Sequence, residues 1–190
     1  MELTGFIILA LLAAAFFYGV MIYNALVSLK HNIDKAWSNI DVLLKQRHDE
    51  LPKLVEVCKQ YMKFEQETLE KVIQARSQVF SARESGNIGA LGAAEGMLRM
   101  GLGNLFALAE NYPELKADQT FKHLQTRITS LENQIADRRE FYNESVNVNN
   151  VRIEQFPDII VARLLGFKAG ALLQFSVEEK ADVNIKALFG

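Results

Sequence analysis

Residues 3–29 read LTGFIILALLAAAFFYGVMIYNALVSL, 27 positions without a charge, of which only Thr4, Gly5, Gly19, Asn24 and Ser28 fall outside the hydrophobic set. As a helix this run extends about 40 Å, more than the ~30 Å hydrocarbon core of a bilayer requires. Its anchoring side chains are expected to be Phe6, Ile7, Leu11, Phe16, Phe17, Tyr18, Ile22 and Tyr23, with Tyr23 placed to ring the membrane–water interface. A cleaved signal peptide needs a basic leading region, whereas this sequence opens Met1-Glu2 and holds Ala13-Ala14-Ala15 inside the apolar run. The expectation is a retained single-pass anchor. No Lys or Arg precedes the run, while Lys30, Lys35, Lys45 and Arg47 follow it closely. The positive-inside rule then puts a short N-terminal end outside and the bulk of the chain in the cytoplasm.

Outward from the anchor the chain changes character. The 190 residues carry 21 Lys+Arg against 23 Asp+Glu, too even a balance for a basic nucleic-acid binder or an acidic tail. One cysteine, Cys58, excludes an intramolecular disulfide framework and a multi-cysteine zinc site. Leu26, Leu29, Ile33, Trp37, Ile40 and Leu44 step by three or four and continue the anchor as an apolar stripe to about His48. Leu51-Pro52 then interrupts it. Asp49 or Glu50 can cap a new helix with Pro52 in its first turn, where a missing N–H is harmless. A hairpin here is favoured over one kinked helix of some 80 residues, because so long a stripe would face water with nothing to bury it.

Ser85-Gly86-Asn87 marks the next turn, and Ile88 to about Glu110 forms a third helix with glycines at 89, 92, 96, 101 and 103. Each glycine inside a helix costs ~1 kcal/mol relative to alanine. Close approach to a neighbouring helix would offset that cost, so Gly89, Gly92, Gly96, Gly101 and Gly103 are candidate packing or oligomer contacts; an irregular Ile88–Gly96 is the alternative. Asn111-Tyr112-Pro113 ends this helix, Asp118 or Thr120 opens the fourth, and Phe156-Pro157 closes it. Ile159–Leu165 reads as a short helix ended by Gly166, and the alternation of Val183, Ile185, Ala187 and Phe189 suits an extended tail.

The chemistry these residues permit is sparse. A di-iron bundle site needs Glu-x-x-His, but Ser28, Lys45 and Thr120 stand three before His31, His48 and His123. His-Glu-x-x-His, Gly-x-Ser-x-Gly and the phosphate-loop motif do not occur, and Gly101-Leu102-Gly103 lacks the rest of a dinucleotide loop. Cys58 lies on an apolar stripe as a buried thiol would. No catalytic, metal or cofactor site is expected. Asn143, Asn147 and Asn150 recur at i, i+4 and i+7 on one helix face, read either as a surface stripe or as a buried or intersubunit amide network that fixes register. Leu172, Phe175 and Phe189 are apolar enough that the tail should dock on the bundle or a neighbouring subunit.

Several blocks resemble the LemA family: Tyr23-Asn24-Ala25-Leu26-Val27-Ser28-Leu29, Ala36 to Asp49, Leu51-Pro52-Lys53-Leu54-Val55, Ala75-Arg76-Ser77, Leu108 to Ala117, Phe121-x-x-Leu124-Gln125, Leu131 to Asn143 and Phe156-Pro157. They cover about residues 18–168 in order. The resemblance implies a single-pass protein of the bacterial inner membrane with a four-helix cytoplasmic bundle and a hairpin at Pro52, in a family without an established enzymatic activity whose members are often associated with a membrane-embedded zinc metallopeptidase. The tail departs from the family pattern, since Ala169–Gly190 contains no proline.

Together these readings give an all-α protein: an N-terminal transmembrane helix (1–29) continuing into an up-and-down four-helix bundle (30–157), then a short helix and partly extended tail (158–190). The expected function is a non-enzymatic, self-associating membrane scaffold that binds a membrane partner and no nucleic acid. The alternative is a membrane-proximal sensor or lipid- or small-ligand-binding module; Arg47, His48 and Lys53 would sit near the first helix-to-helix turn, but a hairpin puts that turn away from the bilayer, which argues against lipid contact there.

Overall fold

The apolar run does open a helix, and that helix does not stop at Pro52. In the computed structural model, which describes residues 2–174, α1 spans Glu2–Tyr61 with Pro52 inside it. It is followed by α2 (Gln66–Glu84), α3 (Ile88–Ala109), α4 (Pro113–Ala117), α5 (Gln119–Glu154) and α6 (Asp158–Leu165). Every regular element among the described residues is helical. Phe175, Phe189 and the alternating tail Val183–Phe189 lie outside the described residues.

The expected hairpin at Pro52 is therefore corrected: the first turn lies ten residues later, between Tyr61 and Gln66. An interior proline cannot donate to the carbonyl four residues back and ordinarily costs about 3 kcal/mol. Here that carbonyl, His48 O, accepts a hydrogen bond of 3.0 Å from Arg76 Nε on α2. The tertiary donor replaces the missing N–H, so the helix continues. The turn itself is held from outside: Tyr61 Oη donates to Asp118 at 3.1 Å and Tyr112 Oη to Glu65 at 3.4 Å.

Other boundaries follow local chemistry. Asn87 caps α3 by accepting from Ala90 N at 3.0 Å, so helix begins at Ile88 and the irregular alternative for 88–96 is excluded. Asp118 accepts from Phe121 N at 2.9 Å across the start of α5. Gly166 ends α6 at φ 73°, a left-handed geometry that glycine adopts without strain.

The chain divides into two compact units. The first comprises 1–41 and 138–172: the start of α1, the end of α5, α6 and the segment after it. Its core holds Ile22, Leu26 and Ala162, with Ile153, Val161 and Phe167 against them. Trp37 meets Tyr142 at 5.7 Å between ring centroids, and Tyr23 meets Phe167 edge-on at 6.0 Å. The second unit comprises 42–137 together with Leu173 and Gln174 of the described residues. It gathers the end of α1, α2, α3, α4 and the first half of α5 around a core that includes Leu44, Leu54, Val72, Leu98, Leu105, Phe121 and Ile128.

Candidate functional site

Two features stand out, one in each unit. The first is the base of the long apolar N-terminal run. From Leu3 to Met21 every residue except Gly19 is exposed, although the run is apolar. Those 19 residues make about 28 Å of helix, close to the ~30 Å hydrocarbon thickness. Phe6, Ile7, Leu11, Phe16, Phe17 and Tyr18 all stand on this exposed stretch, and Tyr23 follows it at 43% exposure. Ile22 turns inward instead, 4% exposed against Ala162 of α6. The protein-packed part of α1 thus starts inside the 3–29 run.

Beside this junction lies a cleft of about 590 Å³ lined by Tyr23, Lys30, His31 and Asp34 of α1, Asn149 of α5, and Leu165–Lys168. Asparagines of α5 hold the segment 168–170 that forms part of its wall. Asn150 donates from Nδ2 to Gly170 O at 3.0 Å and accepts from Gly170 N at 2.8 Å, pairing with the backbone as a neighbouring strand would. Asn149, 3% exposed, donates to Lys168 O at 3.4 Å, and Tyr142 Oη donates to Ala171 O at 3.0 Å. These bonds satisfy a polar segment that has no helix of its own to do so.

The second feature is a buried ion triad. Arg47 of α1 is 0% exposed; it pairs with Glu132 of α5 at 2.5 Å and with Glu95 of α3, itself 2% exposed. Desolvation alone would lower the guanidinium pKa, but the attraction and hydrogen bonds of Glu95 and Glu132 together outweigh it and raise it above its ordinary value. One residue on, His48 stacks at 5.0 Å on Phe80 and its Nε2 lies 2.6 Å from Arg76 Nη2. Guanidinium only donates, so Nε2 accepts and the ring is neutral. Burial first, then the positive Arg76, holds the His48 pKa below the usual histidine value.

The packing glycines separate by surroundings. A Cβ on Gly92 would lie 2.0 Å from Gln174 O, so only glycine lets that backbone pass. Gly101 faces Val72 of α2, whose Cγ2 would sit at 3.4 Å. Gly96 is buried, Gly103 faces open space, and Gly89 would meet only the Asn87 side chain at 3.6 Å. Of the asparagine stripe, Asn150 clamps Gly170 while Asn147 is exposed and Asn143 half-buried. Leu172 is 39% exposed. Cys58 is buried, its thiol pushed up to about 12 by desolvation, and no group of three or more His, Cys, Asp or Glu suited to a metal occurs among the described residues.

Comparison with known proteins fits this frame. A model of the LemA family matches residues 36–187. The chain belongs to the LemA family. Protein LemA of Metamycoplasma hominis is 30% identical over 186 residues, covering 96% of this chain and 84% of that one. Magnetosome protein MamQ 2 of Paramagnetospirillum magneticum is 26% identical over 178 residues, 82% of this chain and 65% of the relative. Magnetosome protein MamQ of Magnetospirillum gryphiswaldense is 27% identical over 172 residues, 78% and 63%. The chain therefore spans slightly less than two thirds of the length of these magnetosome relatives.

The whole Arg47–Glu95–Glu132 triad lies inside the LemA match, and the lipid-length run 3–21 lies before it. Sequence reasoning missed the triad, although a signal existed. Ile40, Leu44, Arg47 and Leu51 step by four, three and four, putting one cation on a core stripe; Glu95 and Arg99 are the two charges of the mostly apolar and small α3. The polar groups near the end of the first stripe are engaged within the fold: Arg47 is sealed between carboxylates, and His48 is committed to Arg76.

Proposed function

We propose that this LemA family chain is a non-enzymatic, membrane-anchored scaffold whose up-and-down helical bundle self-associates and presents a surface to a membrane partner. The observation that carries the reading is the exposed run Leu3–Met21, of bilayer length and followed by packed helix without a break. An exposed apolar helix of this size has no stable place in water. The bundle comprises the end of α1, α2, α3 and α5, with the turn at 62–65 in place of a hairpin at Pro52. The bundle lies in the cytoplasm of a bacterial cell, the short N-terminal end outside, and the membrane zinc metallopeptidase implied by the family resemblance is the partner to test first. Light scattering of the detergent-purified chain tests self-association: an oligomer is expected, and a monomer unaffected by deleting the residues after Gln174 refutes it. Labelling of a C-terminal cysteine tag from outside intact cells would refute the topology.

A second reading, a membrane-proximal binding module, is favoured by the 590 Å³ cleft with Lys30, His31 and Lys168 on its rim. Calorimetric titration with a water-soluble short-chain phospholipid distinguishes it, since a scaffold without a ligand gives no saturable heat that Lys30→Ala removes.

A further inference from the structure

The short helix α6 is apolar on the side it shows to solvent. Asp158 and Ala162 are buried, whereas Ile160 is 58% exposed, Leu164 is 81% exposed, and Phe156 just before the helix is 81% exposed. At about 100° per residue, Ile160 and Leu164 stand opposite Asp158 and Ala162. A helix on a water-facing surface carries the reverse pattern, polar side out. Two large apolar groups this exposed on so short a helix, with a third just before it, need a cover.

Its position says which. The inner face of α6 packs on Ile22 and Leu26, the first buried positions after the exposed run ends at Met21. At 1.5 Å per residue, that contact lies about 1.5–8 Å beyond the end of the run along α1. The headgroup layer of a bilayer is about 5–8 Å deep on each side, the difference between a hydrocarbon core of ~30 Å and a full thickness of ~40–45 Å. The height therefore matches. The charges around it suit the same place: Arg163 on α6, and Lys30 and Lys168 at the rim of the adjacent cleft, have long stems that can lie along apolar surface and hold their heads at phosphate level. The acidic residue of α6 is withdrawn, since Asp158 is buried and takes a hydrogen bond of 2.5 Å from Arg152.

We propose that α6 is an in-plane interfacial helix: the headgroup–acyl boundary of the bilayer covers Phe156, Ile160 and Leu164, so that α1 tethers this unit and α6 seats it. The inference rests on α1 crossing the bilayer, and its test separates the two. Single cysteines replace Phe16, Ile160, Leu164 or Glu140 in the full chain, each carrying a fluorophore, in nanodiscs of phosphatidylcholine and phosphatidylglycerol. The parent with only the buried Cys58 serves as the labelling blank. Quenching is read with lipids brominated high or low on the acyl chain and with iodide in the water. Labels at 160 and 164 are expected to be quenched by the high-brominated lipid and to be severalfold less open to iodide than the label at 140; the label at 16 answers to the low-brominated lipid. Iodide access at 160 and 164 equal to that at 140, with 16 still in lipid, overturns the inference and leaves the anchor standing. Protection of 160 and 164 from both quenchers also overturns it, because a second protein surface is then the cover. Iodide access at 16 removes the anchor and the inference together.

Discussion

Replacing Arg47 by methionine keeps most of the side-chain volume and removes the charge that two carboxylates share. Glu95 is 2% exposed and the Glu132 side chain 17%, so neither can turn fully to water. Removing one partner of a buried ion pair costs about 3–5 kcal/mol, most of it the desolvation of the charge left behind. For a domain of this size about 2–4 °C of melting temperature accompanies each kcal/mol, so R47M should melt roughly 6–20 °C lower. The assay is loss of helical circular dichroism in mild detergent, with denaturant titration as a second measure. A pH arm sharpens it. Without the cation, burial favours the protonated form of the interior carboxylate and raises its folded pKa above the unfolded value of about 4.3. Such a group stabilises the fold at low pH and loses that contribution as pH rises through the raised value. R47M should therefore regain stability between pH 7.5 and 5, and the parent, with Arg47 charged throughout, should show no gain from this site. The triple variant R47M/E95L/E132M removes all three charges and should recover most of the loss. If R47M melts within about 2 °C of the parent, or the triple variant is as damaged as the single one, the triad is not holding α1, α3 and α5 as argued.

Three further outcomes follow from single contacts. Arg76→Met leaves His48 O and the His48 ring without their donor and should cost about 1–3 kcal/mol; Pro52→Ala returns an N–H to that carbonyl, so a double-mutant cycle in the same melts should show the two changes to be non-additive by about 1 kcal/mol. Gly103→Ala should stabilise by up to ~1 kcal/mol through helix propensity, whereas Gly92→Ala should destabilise, because its Cβ would meet Gln174 O at 2.0 Å. Asn150→Ala removes both bonds to Gly170 and should speed proteolytic cleavage between 166 and 174, whereas Asn147→Ala, at an exposed position, should leave the digestion pattern unchanged.

What could be read from the sequence was what a few neighbouring residues decide. Asn87 and Asp118 announce their helices because a capping side chain bonds within its own turn. Gly166 ends α6 because one residue must take a left-handed conformation. The first turn escaped the same logic. Tyr61-Met62-Lys63-Phe64-Glu65 contains no glycine, proline or capping asparagine, and Leu69 resumes the stripe seven residues after Met62, in helical register. Its break is set by Tyr61 on Asp118 and Tyr112 on Glu65, partners 57 and 47 residues away. Pro52 misled for the converse reason: it is a genuine local breaker, overridden by an arginine 24 positions further on. Of the asparagines, spacing put 143, 147 and 150 on one face, but the backbone of 168–170 selects instead Asn150, at Gly170, and the unmarked Asn149, at Lys168.

The same distinction decides where the exposed part of the apolar run ends. Hydropathy treats residues 3–29 as one segment because leucine or isoleucine against lipid and leucine or isoleucine against protein carry the same transfer energy. The difference lies in what faces them. Leu11 and Leu26 are both leucines of the apolar run, yet Leu11 is 65% exposed and Leu26 0%, covered by α6 and its neighbours. A run of 27 residues too long for the hydrocarbon core thereby resolves into 19 of fitting length and a remainder that begins the packed unit. If that division is right, charge should discriminate between the two parts. Leu11→Arg puts a cation at mid-bilayer and should abolish stable insertion while leaving the packed units intact. Leu26→Arg should leave insertion intact and loosen the contact of α1 with Ala162 and Val161, read as faster cleavage after α6. Alkaline carbonate extraction of membranes, followed by limited proteolysis, separates these outcomes, and loss of insertion by both variants alike would return the whole of 3–29 to the bilayer.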